Sequence, residues 1–189
     1  MNYSQITAQI AAWMNRDDLA AIIPDFISLA EERMNRALRV RQMEVVLPDT
    51  AIVDGLITLP TDAVDVKLLW VAGFENCPLK PQSLEAVIAN GAYGYPVLYA
   101  WQGADLRVDG SGSVQGVLYE RIPALSTDST NWVSEQAPGL YLFGALAEAA
   151  MYVGDDVAAQ NWMARFGQVL DEVSGNDQRR DGPLVARPR

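Results

Sequence analysis

The sequence contains no histidine and a single cysteine, Cys77. Without histidine, Ser–His–Asp and Cys–His nucleophilic centres cannot be assembled. The same absence removes the His-containing zinc sites, and one thiol supplies neither a thiolate cluster nor a CxxC redox pair. A chain with one cysteine has no internal disulfide framework, which suits a reducing compartment such as a bacterial cytoplasm. Long apolar runs are also missing. The longest, Leu140 to Gly154, is interrupted by Glu148 and falls short of the roughly 20 residues of a membrane span. The opening MNYSQITAQIAAWMNRDD lacks a basic n-region and a cleavable apolar core, so no signal peptide is expected.

Positive charge is scarce. The chain has 14 Lys and Arg against 24 Asp and Glu, a net charge of −10. Residues 177–189 hold four arginines and two aspartates, so removing their +2 leaves −12 on residues 1–176. Such a body repels nucleic-acid phosphate, which disfavours specific DNA binding yet lets DNA pass without sticking. Acidity of this degree also simply keeps a protein soluble. Carboxylate pairs are the one catalytic device left, as in glycoside hydrolysis. With 24 acidic residues some pair always falls within reach, so their presence alone selects nothing.

What is present is enough for a core: half of the 189 residues are hydrophobic, in a length that suits one domain with an inserted subdomain. Tyr3, Ile6, Ile10, Trp13 and Met14 form an apolar stripe on a first helix, with Ser4 as its cap. Pro24 opens a second helix, running to about Arg41, whose stripe is Phe26, Leu29, Ala30, Met34, Ala37 and Leu38. Glu32 and Arg36 on its polar side have the favourable i, i+4 order, so Arg33, Arg36 and Arg39 read as intrahelical partners before they read as contacts to DNA or to an acidic neighbour.

The period then changes to two. Met43 to Pro60 reads as a hairpin turned at Asp54-Gly55. Val64 to Trp70 alternates as a strand, and Pro81 to Asn90 holds a short helix capped by Ser83, with Leu84, Val87 and Ile88 inward. Further strands are expected near Val97–Trp101, Asp105–Val108 and Val114–Arg121, which suggests a small antiparallel sandwich or barrel. Gly110, Gly112 and Gly116 are hairpin glycines; their spacing fails the nucleotide-loop pattern and no helix follows.

Helix returns at Leu140 to Val153, apolar on nearly every face. Such a helix is buried on every face, either at the centre of a bundle or between the core and a neighbouring subunit. Asp155 caps a last helix with Val157, Trp162, Phe166, Val169, Leu170 and Val173 on its stripe and Gly175 as its stop. Trp13 and Trp162 read as core, Trp70 and Trp101 as strand residues, and Trp132 as an exposed loop contact. The fold class is therefore α+β: a helical bundle from residues 1–41 and 136–175, an inserted antiparallel β-sandwich or barrel-like subdomain at 42–135, and an extended tail at 176–189. The two helical ends must meet, since neither covers its own stripes.

The run WMNRDDLAAIIPDFISLAEERMNRALRVRQME, residues 13–44, carries W-x-N-R-x-D-L followed by P-x-F-I-x-L-A-E-x-R-M-x-R-x-L-R. With LPTDAVDV, GYPVLYAWQGADLRV and GLYLFGALAEAAMYVGDD in order behind it, the chain resembles the head-to-tail adaptor family of short-tailed phages, related to the tail tubular protein A type. The resemblance implies a non-enzymatic virion protein at the head–tail junction, made in the host cytoplasm. It implies a homo-oligomeric ring, typically twelvefold, docked on the portal protein, continuing the DNA channel and offering a platform for a downstream tail or nozzle protein. Double-stranded DNA would pass without specific binding. No cofactor, metal or membrane is implied. The bundle would meet its neighbours through Leu142, Leu146, Ala149 and Tyr152. The tail would grip the portal with Leu184 and Val185 as apolar anchors and Arg179, Arg180, Arg187 and Arg189 on acidic groups, folding as it binds; an end without a partner is the plain alternative. Two rival functions are a cell-wall hydrolase drawing on Glu31, Glu85 or Glu120, and a tail-completion or stopper protein of the neck.

Overall fold

The computed structural model describes residues 1–16, 18–91, 94–126 and 129–180. In chain order the elements are α1 (Tyr3–Met14), α2 (Ile23–Ala37), β1 (Glu44–Ala51), β2 (Leu56–Ile57), β3 (Ala63–Val71), β4 (Phe74–Pro78), β5 (Lys80–Pro81), α3 (Leu84–Asn90), β6 (Leu98–Gln102), β7 (Asp105–Val108), β8 (Ser113–Glu120), α4 (Trp132–Gln136), α5 (Pro138–Tyr152) and α6 (Asp156–Arg180). The α+β class and the antiparallel sheets expected from the sequence are what the chain forms. Residues 1–42 together with those from 122 onward make one compact unit, and residues 43–121 make a second.

In the helical unit, α1 is capped by Asn2 and not by Ser4: the Asn2 side chain accepts the Gln5 amide at 2.9 Å, and the Gln5 side chain accepts the Asn2 amide at 3.0 Å. This reciprocal pair satisfies two amides that a single Ser cap would leave open. α2 buries Ile23, Phe26, Ile27, Ala30 and Met34. It stops at Ala37, short of Arg41, because an extended Leu38 brings Leu38 and Val40 into the core. Leu29, assigned to that stripe, faces outward. α5 is the central helix, packed by α1, α2, α4 and α6.

The helical unit resumes at Ile122, ahead of the Gln136 expected from the pattern. Residues of α2 draw the connection in: Ile122 donates its amide to Asn35 Oδ1 at 2.8 Å, and Leu125 donates to Glu31 Oε1 at 2.7 Å. At the other end, α6 runs through Gly175 to Arg180. A helical glycine costs about 1 kcal/mol relative to alanine, and Asp177 offsets it by accepting both the amide and Nε of Arg41 at 3.2 Å.

The second unit is a sandwich of two four-stranded sheets, ordered β1-β8-β3-β4 and β2-β7-β6-β5. All pairs are antiparallel except β5–β6. Leu47, Leu69 and Leu118 from the first sheet meet Ile57, Leu106 and Val108 from the second in one core. Asp54 and Gly55 take the positive φ values, 52° and 73°, that a tight turn needs. The expected hairpin is nonetheless only one bridge long, Val53 to Leu56, because β1 pairs with β8 while β2 pairs with β7. On α3 only Val87 is buried; Ile88 points to solvent.

Asp109 is buried beside this sheet. One oxygen accepts the amides of Val97 at 2.8 Å and Leu98 at 2.9 Å, and the other accepts Asn90 Nδ2 at 2.6 Å. Burial pushes its carboxyl up, but these donors outweigh burial and hold it below the ordinary carboxylate range. A depressed folded value means the stabilisation is complete above the unfolded pKa and disappears as pH falls through the folded one. Urea midpoints of the wild type should therefore fall below about pH 4. Asp109→Asn should be less stable at neutral pH and show a shallower acid slope; parallel slopes for the two proteins would refute this role.

Candidate assembly interface

Of the residues expected between subunits, Leu142, Leu146 and Ala149 are buried on α5, while Tyr152 is 61% exposed. The chain's own helices cover the first three. The all-round apolar α5 is thus the centre of its own bundle, and it offers a neighbour little beyond its C-terminal end. Arg179 and Arg180 lie in the last turn of α6 and not in an extended tail. Leu184, Val185, Arg187 and Arg189 lie outside the described residues.

Polar groups inside the helical unit serve the fold. The Tyr141 hydroxyl donates to Glu31 Oε1 at 2.8 Å and accepts Asn131 Nδ2 at 2.7 Å; the same Asn131 nitrogen donates to the Pro123 carbonyl at 2.6 Å. Burial, with the nearby Glu31 charge, pushes the Tyr141 phenol far above its usual value, although the Asn131 bond opposes this. The phenol therefore remains a neutral donor. Glu31, considered above as a hydrolytic acid, binds Tyr141 and the Leu125 amide. Glu85 and Glu120 belong to the β unit, on α3 and β8. Arg33 crosses from α2 to pair with Glu148 on α5, in place of an intrahelical partner. Among the described residues, no group of three or more His, Cys, Asp or Glu side chains is placed to hold a metal ion. No described helix is long and apolar enough to cross a membrane.

On the helical unit an aromatic cluster joins α1, α5 and α6 at the surface. Trp13, expected in the core, lies near the end of α1 and is 50% exposed. It leans on Trp162, half-buried, with ring centroids 5.7 Å apart. Phe143 stacks on Trp162 at 6.1 Å, and the Arg165 guanidinium lies 5.4 Å from the Trp162 centroid, within cation–π range. Beside this cluster opens a pocket of about 280 Å³ lined by buried Leu19, Leu146 and Ala149, with exposed Val153, Arg16 and Asp155 at its rim. Val153 at that rim is 42% exposed, whereas Tyr152, one residue earlier, sets its ring against Phe26 of α2. Stripe periodicity could not reveal the cluster, since Trp13 and Trp162 fit core positions equally well. Trp132 sits in α4, half-buried, with its indole N–H covered and without an acceptor among the described residues, rather than in an exposed loop.

No curated protein matches the chain in sequence. The profile of the SU10 adaptor protein family matches it over residues 1–187, nearly end to end. With a helical bundle interrupted by a β-sandwich, the chain belongs to the SU10 adaptor protein family, a family of phage adaptors.

Proposed function

We propose that this protein is a structural head-to-tail adaptor of a phage virion, without catalytic function. It assembles as a ring, twelvefold in the simplest case, on the portal protein, continues the DNA channel and presents a platform to the next tail or nozzle protein. The match to a phage adaptor family over almost the whole chain carries this reading. The body charge of −12 supports it, because like charge keeps DNA moving past the wall. α6 supports it as well: a 25-residue helix, about 37 Å long at the standard rise, ends at Arg180 and leads into a basic segment bearing Leu184 and Val185.

The test is native mass spectrometry of the protein mixed with the portal ring of its phage, comparing the full chain with one ending at Arg180. The cut falls after Arg180 because removal of Asp177 would also untie Arg41. Full-length chains should load as a ring, and the shortened chain should load at least tenfold more weakly. Equal loading by both would remove the portal grip from Leu184, Val185, Arg187 and Arg189 and leave Arg179 and Arg180 to be tested by charge reversal. No loading by either would overturn the adaptor function.

A further inference from the structure

The apolar pocket of the helical unit needs an occupant. Among the large apolar residues described as exposed on this unit, Trp13 and Val153 line the pocket, and Val157 is one residue from its Ala158. Val157 alone is 72% exposed. An open pocket lined by exposed Trp13 and Val153 and by buried Leu19, Leu146 and Ala149 offers an apolar interaction surface.

The chain's own C-terminal segment does not fit. The pocket touches Ala158 and Trp162 in the opening turns of α6, and from Trp162 to Arg180 the helix advances about 27 Å. Leu184 and Val185 follow Arg180 by only four and five residues, a reach of about 14–17 Å when fully extended.

A second copy does fit. The β unit exposes one aromatic pair, Phe74 at 51% and Tyr95 at 66%, with ring centroids 5.5 Å apart. An apolar cavity of about 150 Å³ holds one benzene ring, so a pocket of about 280 Å³ has room for roughly two. Charge also matches. Glu75 is exposed beside Phe74, while exposed Arg16 and Arg165 flank the pocket. Arg16 already pairs with Asp18, which leaves Arg165 as the better partner. Asp155, the acidic group on the rim, is engaged in capping α6 through the Ala158 amide.

We propose that the Phe74–Tyr95 pair of one copy docks into the α1–α5–α6 pocket of the next. Knob and pocket are different surfaces, so copies can join head-to-tail, and such a contact forms a ring where the rotation from copy to copy closes. The inference rests on the ring reading and names the surface by which the ring closes. Cys77, exposed three residues from Phe74, provides a native probe. In Asn161→Cys full-length protein, on the portal ring and at high concentration alone, a short bismaleimide should join Cys77 to residue 161 of another copy. The expected product is a ladder of dimers, trimers and higher species. The wild type and the Cys77→Ser, Asn161→Cys protein should give no ladder. Phe74→Asp with Tyr95→Asp, both at exposed positions, should lower the ladder at least tenfold while leaving circular dichroism unchanged. Rings that assemble without this cross-link overturn the inference and leave the ring standing. A cross-link confined to single chains, or a ladder that survives the double Asp variant, also overturns it. Failure to assemble at all overturns both.

Discussion

Gly116→Val is expected to disrupt the β unit. Gly116 lies on β8, the strand between β1 and β3, opposite Leu47 on one side and Leu69 on the other. A Cβ built there would sit 2.4 Å from the Leu68 carbonyl oxygen and 2.6 Å from Leu69 Cδ2. Leucine 69 can change rotamer, but the Leu68 oxygen is backbone, held in a ladder whose register already shifts between Val66 and Leu68. Relief requires β3 and β8 to part where the core is fully buried around Leu69, Val114 and Leu118. Overpacking ordinarily costs about 1–3 kcal/mol; a clash with backbone in a central strand belongs at or above the top of that range. Urea unfolding of the variant should show a large fall in midpoint, or no folded β unit at all. Gly103→Ala is the control: a Cβ there meets nothing within 4 Å, although φ is +69°, so its cost is the backbone strain of about 1–2 kcal/mol alone. Similar midpoints for the two variants would show that the β3–β8 approach is not tight.

Part of what is local could be read in advance, though the α1 cap at Asn2 was not. The α3 cap at Ser83 and the Asp54-Gly55 turn each depend on a few neighbouring residues and are present, and of the α2 stripe Phe26, Ala30, Met34 and Leu38 are buried while Leu29 and Ala37 are exposed. Pairing across distance was not readable. Nothing near Val53 says that β1 will join β8, some sixty residues later, rather than continue the hairpin into β2. β4 escaped notice because every residue from Phe74 to Pro78 is exposed, and a strand without a buried face has no alternation to detect. The interface was legible only in part. An apolar α5 announces that all its faces are covered, but hydrophobicity does not distinguish a helix of the same chain from one of a neighbour. Leu142, Leu146 and Ala149 are covered from within. The exposed aromatic cluster depends on Trp13 of α1 meeting Trp162 of α6, which no single stripe encodes. The extension of α6 past Gly175 depends on Arg41, far away in sequence, meeting Asp177.

Gly144→Leu is the corresponding change for the helical unit. A Cβ at Gly144 would lie 2.8 Å from Ala30 Cβ on α2 and 3.3 Å from the Phe166 ring on α6. Ala30 has no rotamer to give, and Ala30 and Phe166 are both buried. A leucine there must push α2 or α6 away from the central helix, opening the interface that carries Phe26, Ile27 and Met34. We expect a loss of about 3 kcal/mol or more, beyond the usual range for added methylenes, because two helices are displaced at once. Gly144→Ala isolates the first methyl. Helix propensity favours it by about 1 kcal/mol, so any net destabilisation measures the Ala30 clash directly. Gly167→Ala on α6, where a Cβ meets nothing within 4 Å, should be stabilising by up to about 1 kcal/mol through propensity alone. Denaturation of the three variants side by side separates packing from propensity. If Gly144→Ala gained as much as Gly167→Ala, α2 and α5 would have slack between them, and the close three-helix contact at Gly144 would not be what orders this unit.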